Sequence, residues 1–141
     1  MLEVWVDGLC EPVNPGGTAC YGYVIKEDGK TICTNYGTIG KGPNMTNNVA
    51  EYTALIRALQ KIKSLKLSEQ KILVKSDSRL VALGMSQNWK IKAPRILPLY
   101  DQAKALAGGM NVKFQWIPRE QNQEADGLCR IAYESFKKRD P

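Results

Sequence analysis

The chain contains no histidine. That absence removes Ser-His-Asp hydrolysis, Cys-His catalysis and every histidine-ligated metal site. None of its four cysteines falls into a C-x-x-C pair, which argues against a zinc knuckle. Cys10, Cys20, Cys33 and Cys129 read instead as small buried hydrophobes in a reducing compartment. No stretch approaches the roughly 20 apolar residues that span a bilayer. No repeat, low-complexity tract or linker divides the 141 residues, so one domain over 1–141 is expected. The start, Met1-Leu2-Glu3-Val4, has neither a basic leader nor a signal-type apolar block, and the expected location is cytoplasmic. Chemistry on this chain must therefore come from carboxylates, lysines, hydroxyls or oxygen-bound metals.

What is present is a globular balance, 43% hydrophobic and 24% charged, with a net charge of +6. A basic surface favours polyanions such as nucleic acid, although a solvated surface of no special purpose can carry the same charge.

Hydrophobic periodicity supplies the order of elements. Leu2, Val4 and Val6 alternate with Glu3, Trp5 and Asp7, a period of two that predicts a strand. A turn over Glu11–Gly17 leads to a second strand through Cys20–Lys26. The hairpin signal Asp28-Gly29 then returns the chain as a third strand over Thr31–Ile39. Thr46 or Asn47 offers an N-cap for a helix running to about Leu65, with Ala54, Leu55, Ala58, Leu59 and Ile62 on its apolar arc. Lys71–Lys75 reads as a strand buried on both faces. Short helices follow over Arg79–Met85 and Arg95–Leu106, separated by a basic connection through Asn88–Arg95. A last strand spans Asn111–Ile117. Beyond a loop at Pro118–Gln121, Asn122 is expected to cap a final helix with Ala125, Leu128, Ala132 and Phe136 inward, and the tail Phe136–Pro141 is expected to fray. The order β-β-β-α-β-α-α-β-α implies an α/β domain with a mixed sheet covered by helices.

Four carboxylates break local rules. Asp7 and Asp77 end hydrophobic strands, where sites gather in α/β sheets. Glu51 falls inside the apolar arc of the long helix, where a carboxylate must be neutralised, paired or coordinated. A buried ion pair or a favourable helix dipole would also account for it. Asp126, in the first turns of the last helix, is by itself an ordinary helix-start acid. Together, four clustered carboxylates without histidine or thiolate suit Mg²⁺ or Mn²⁺. Two such ions about 3.5–4 Å apart can clamp the attacking and leaving oxygens of a phosphodiester.

The blocks Asp7-Gly8 with Asn14-Pro15-Gly16-Gly17, Thr46-Asn47-Asn48-Val49-Ala50-Glu51, Ser76-Asp77-Ser78 and Asn122-Gln123-Glu124-Ala125-Asp126 resemble type 1 ribonuclease H in order and spacing. The resemblance covers essentially the whole chain. It implies a ribonuclease H-like three-layer fold, a five-stranded mixed sheet of three antiparallel strands and two parallel to the first, with helices on both faces. It implies endonucleolytic cleavage of the RNA strand of an RNA–DNA hybrid, leaving 5′-phosphate and 3′-hydroxyl ends. It also implies two Mg²⁺ ions, replaceable by Mn²⁺, held by Asp7, Glu51, Asp77 and Asp126, with Asp7 bridging them. Gly8, Cys10, Asn14, Thr46, Asn47, Asn48, Arg79, Trp89 and Lys90 are the expected substrate contacts, and 2′-hydroxyls are what would identify an RNA strand. Double-stranded RNA and RNA–DNA junctions are further substrate candidates, and a monomer without membrane contact is expected.

The chain departs from the family pattern in three places. The loop that often carries a histidine is here Pro118-Arg119-Glu120-Gln121, so Arg119 is the expected phosphate contact and Glu120 a candidate to tune metal occupancy. Ordinary solvated loop charge accounts for both equally well. The segment Asn88–Pro98 is too short for a basic handle helix, leaving Trp89, Lys90, Lys92 and Arg95 for the DNA backbone. Leu9 stands where a small hydroxyl residue is common. A non-catalytic hybrid-binding module and a DEDD-type 3′→5′ exonuclease are the alternatives. The first should have lost an acid, and the second should show Asp-x-Glu where this chain has Asp7-Gly8-Leu9.

Overall fold

A computed structural model describes residues 1–139. Three strands come first, β1 (Leu2–Glu11), β2 (Thr18–Glu27) and β3 (Lys30–Lys41), then helix α1 (Asn47–Ser64). Strand β4 (Lys71–Ser76), helices α2 (Arg79–Ser86) and α3 (Leu97–Ala107) and strand β5 (Asn111–Trp116) follow. A single 3-10 turn (Arg119–Gln121) leads into α4 (Gln123–Arg139). The expected order is the observed one. The sheet runs β3-β2-β1-β4-β5, antiparallel from β3 to β1 and parallel from β1 to β5.

Two cores form, one on each side of the sheet. On the first, Leu2, Val4 and Val6 of β1 and Ile72 and Val74 of β4 pack beneath Leu55, Leu59 and Ile62 of α1, with α2 and α3 alongside. On the second, α4 covers β2, β3 and part of β1 through a smaller cluster of Leu9, Cys20, Cys129, Ala132 and Tyr133. Its buried face is thus Ala125, Cys129, Ala132 and Tyr133, whereas the expected Leu128 and Phe136 are only half-buried. The helix is rotated from its predicted phase because Gly22 sets its seat. A Cβ at Gly22 would lie 2.8 Å from the Ala125 carbonyl oxygen and 2.9 Å from the Leu128 Cβ. Phe136 to Arg139 continues α4 as regular helix rather than fraying, and the tail residues Asp140 and Pro141 lie outside the described residues.

Strand β4 corrects a second expectation. Its pattern alternates, burying Ile72, Val74 and Ser76 while Lys71 is exposed and Leu73 and Lys75 are half-buried. On that other side, Lys75 pairs with Glu3 at 2.8 Å, and Lys26 and Lys75 stand 5.0 and 4.7 Å from the Trp5 ring. The aliphatic stems of these lysines cover the indole where no helix does. Among the described residues, no helix is long and apolar enough to cross a membrane.

Gly8 marks the closest approach of α1 to β1. A Cβ there would sit 2.4 Å from the Ala50 carbonyl carbon and 2.5 Å from the Glu51 nitrogen, and both contacts are backbone that cannot step aside. Gly8→Ala should therefore cost about 2 kcal/mol or more of stability, as overpacking against fixed groups does. Urea denaturation checks this, and a midpoint unchanged from the parent would refute the close approach.

Candidate active site

Strands β1 and β4 run parallel with Val6 opposite Ser76, so the next residue on each strand is an aspartate at the same end of the sheet. Asp7 is 5% exposed, and its Oδ1 accepts the Gly8 N–H at 2.9 Å. Asp77 follows the end of β4, and its carbonyl accepts the indole N–H of Trp116 at 3.1 Å. Thr46 caps α1, its hydroxyl accepting the Val49 N–H at 3.0 Å, which decides the choice between Thr46 and Asn47 as cap. The first turns of α1 then deliver Glu51, 6% exposed, over β1. Ligand oxygens of Asp7, Glu51 and Asp77 lie within 4.8 Å of one another.

Burial dominates the electrostatics. It raises Asp7 to about 7, helped by the Asp77 charge and opposed by hydrogen bonds from Glu51 and Gly8. Glu51 is pushed well above the carboxylate range by burial and then by the charges of Asp7 and Asp77. Asp77 is raised by burial, but the Arg119 guanidinium and the Asn122 amide pull it back. Glu51 Oε2 is buried without a hydrogen-bond partner. An orphaned carboxylate oxygen facing two further acids is a site lacking positive charge. Its all-oxygen donor set fits a hard divalent cation.

Asp126 stands outside that trio. It enters from α4, is 42% exposed at its side chain, and lies 3.9 Å from Arg130 Nε. It nevertheless lines the same cleft, together with Asp7, Gly8, Cys10, Glu51 and Arg119. Arg119 thus reaches the carboxylates. Glu120 does not, for it borders a separate depression beside Trp5, Lys26 and Glu124.

Two of the expected substrate contacts are tied to each other. The Asn14 amide donates to Asn47 Oδ1 at 2.8 Å, and the Asn47 N–H donates to Asn14 Oδ1 at 3.1 Å. Cys10 backs onto this loop. Its thiol is directed at the carbonyls of Val13 and Met45, at 3.3 and 3.5 Å, so the side chain is committed inward. Thr46 and Asn48 border a second depression, closed by Ala93, Pro94, Arg95 and Ile96 of the basic connection. Arg79 stacks on Trp116, its guanidinium carbon 4.8 Å from the ring centre, beside Asp77. Trp89 and Lys90 are exposed and do not line the carboxylate cleft. The Trp89 indole donates to Gln87 within its own connection.

Asn122, expected only as a helix cap, has its side-chain oxygen buried without a partner and acts elsewhere, and Trp116 and Arg130 escaped sequence reasoning as site residues. Asn122 is 1% exposed, and its amide donates to the Val6 carbonyl at 2.8 Å, tying the start of α4 to the residue before Asp7. Trp116 pins the Asp77 backbone. Arg130 joins Glu11 and Asp126, and its i, i+4 spacing to Asp126 was the one available signal.

The chain resembles known proteins in sequence and in fold. A family profile described as "Reverse transcriptase-like" matches residues 6–132. The bifunctional protein Rv2228c of Mycobacterium tuberculosis is 38% identical over 125 residues, covering 86% of this chain and 33% of that protein. This chain therefore spans about a third of that relative's length. A ribonuclease H of Ehrlichia canis is 31% identical, with 92% of each chain covered. Among solved structures, LC11-RNase H1 in complex with an RNA/DNA hybrid superposes with a TM-score of 0.86 at 31% identity, covering 96% of this chain and 98% of that one.

Because Asp7 and Glu51 hold protons in the folded state that the unfolded chain has released, metal-free stability should fall as pH rises from about 4 to about 7. Asp7→Asn removes one of the repelling groups. Without divalent metal it should raise the thermal midpoint at pH 8 by about 4 °C or more, a shift worth ~1 kcal/mol, and leave it unchanged near pH 4. Thermal melts in EDTA at the two pH values check this, and a variant no more stable than the parent at pH 8 would contradict the assigned repulsion.

Proposed function

The chain belongs to the ribonuclease H family, and from that premise we propose that it hydrolyses the RNA strand of an RNA–DNA hybrid, leaving 5′-phosphate and 3′-hydroxyl ends. The observation that carries this reading is the trio Asp7, Glu51 and Asp77, with ligand oxygens within 4.8 Å of one another and a Glu51 oxygen buried without a partner. The proposed cofactor is Mg²⁺, replaceable by Mn²⁺, in a two-ion site completed by Asp126. When bound, the cations activate the attacking water and stabilise charge on the leaving 3′ oxygen.

The protein's own groups do the rest. Burial raises Asp7, Glu51 and Asp77, so a bound cation would favour their charged, ligating forms. Arg119, beside Asp77 in the cleft, contacts a phosphate of the RNA strand and offsets its charge. The paired Asn14 and Asn47 present amides to the minor groove, where a 2′-hydroxyl distinguishes RNA from DNA. Thr46, Asn48 and Arg95 border a depression suited to a phosphate of the second strand. Arg79, stacked on the Trp116 ring whose indole holds the Asp77 carbonyl, is a further contact for the hybrid.

Cleavage of an end-labelled hybrid tests the proposal. Activity should require Mg²⁺ or Mn²⁺, vanish in EDTA and vanish in Asp7→Asn. Full activity in either condition refutes the metal-dependent reading. Arg119→Ala should fold normally and lose about 10- to 100-fold in kcat/KM, the range for one charge-assisted bond to phosphate. Unchanged kinetics would remove Arg119 from the reaction.

A further inference from the structure

Asp126 differs from the other three acids in the company it keeps. Its neighbour on α4, Arg130, brings Nε to 3.9 Å from Asp126 Oδ1, too far for a hydrogen bond. The same guanidinium makes a hydrogen bond through Nη1 to Glu11 Oε2, at the last residue of β1. One cation is thus shared between two carboxylates from opposite walls, and all three residues line the cleft. Its directional bond goes to Glu11, and only its charge reaches Asp126.

We propose that Glu11 and Arg130 are a positioning pair that keeps Asp126 available to a divalent cation. This rests on the reading of the cleft as a metal centre. An arginine one helical turn from a carboxylate can close on it as a two-bond fork, and a carboxylate held that way is a poor metal ligand. Glu11 prevents the closure by holding the guanidinium toward the end of β1. With Arg130 parked there, Asp126 stays free to turn toward Asp7, Glu51 and Asp77. Removing Glu11 releases Arg130 onto Asp126, where it competes with the cation. Removing Arg130 abolishes the competition and makes Glu11 irrelevant. All three side chains are partly exposed, so solvent keeps the effect modest.

The opposite signs of the two losses give the test. Mn²⁺ binding is measured on the protein without nucleic acid, from the free-ion electron paramagnetic resonance signal, for the parent, Glu11→Gln, Arg130→Gln and the double variant. Thermal melts establish that each is folded. Glu11→Gln should weaken Mn²⁺ binding about fivefold. Arg130→Gln should bind as tightly as the parent or tighter, and the double variant should match Arg130→Gln. The Mn²⁺ concentration for half-maximal hybrid cleavage should move in the same order. Glu11→Gln binding like the parent overturns the proposal. So does an equal loss whether or not Arg130 is present, for Glu11 would then act by its own charge alone. Failure of the parent itself to bind Mn²⁺ or to cleave hybrid would instead overturn the metal-centre reading, and this inference with it.

Discussion

Everything at the functional end of this molecule depends on holding three carboxyl groups together, two of them buried. Asp7, Glu51 and Asp77 would separate if their backbones could yield, since burial and mutual repulsion both act against their charged forms. They do not separate because each is borne by an element fixed for other reasons. The main core clamps α1 to β1 along Leu55, Leu59 and Ile62, and parallel pairing locks β4 beside β1. Gly8 and Gly22, on neighbouring strands at the end of β1, let α1 and α4 come closer than any side chain would permit. Hydrophobic packing at one end of the sheet holds the electrostatic cost at the other.

The two sides of the sheet divide the work. The side under α1, α2 and α3 holds most of the buried apolar residues and sets the rigidity of the acidic trio. The side under α4 is smaller and brings Asp126 to the cleft on a helix seated largely by small residues, Ala125, Cys129 and Ala132. Asn122 joins the two. Its amide reaches the Val6 carbonyl and also faces Asp77, so the start of α4, β1 and the end of β4 meet at one fully buried side chain.

Much of this was legible in the sequence wherever a pattern is local. The alternation of Leu2, Val4 and Val6, the arc of α1 and the misplaced Glu51 within it each reflect one element's own period, and the structure reproduces all three. What was not legible is contact between distant segments. The rotation of α4 is decided by Gly22, about a hundred positions earlier, and nothing in the helix itself favours Cys129 over Leu128 as the inward residue. Strand β4 read as doubly buried because Leu73 is apolar, while Trp5 and Lys26, which meet β4's own Lys75 on that side, lie on other strands. Arg130 and Glu11 meet across 119 positions, so only half of that interaction was visible in helical spacing.

The reciprocal bond between Asn14 and Asn47 also decides which polarity faces outward. Each side-chain oxygen already accepts one hydrogen bond, from a backbone N–H or from the partner's amide, whereas the two amide N–H donors of Asn47 make none among the described residues. A surface edge of donors, locked before any ligand arrives, is matched by acceptors. The minor-groove edge of a duplex offers these at nearly every base pair, as purine N3 and pyrimidine O2. On the proposed reading of Asn14 and Asn47 as minor-groove contacts, the same contact would form whatever the base sequence, as action along a duplex rather than at one address requires.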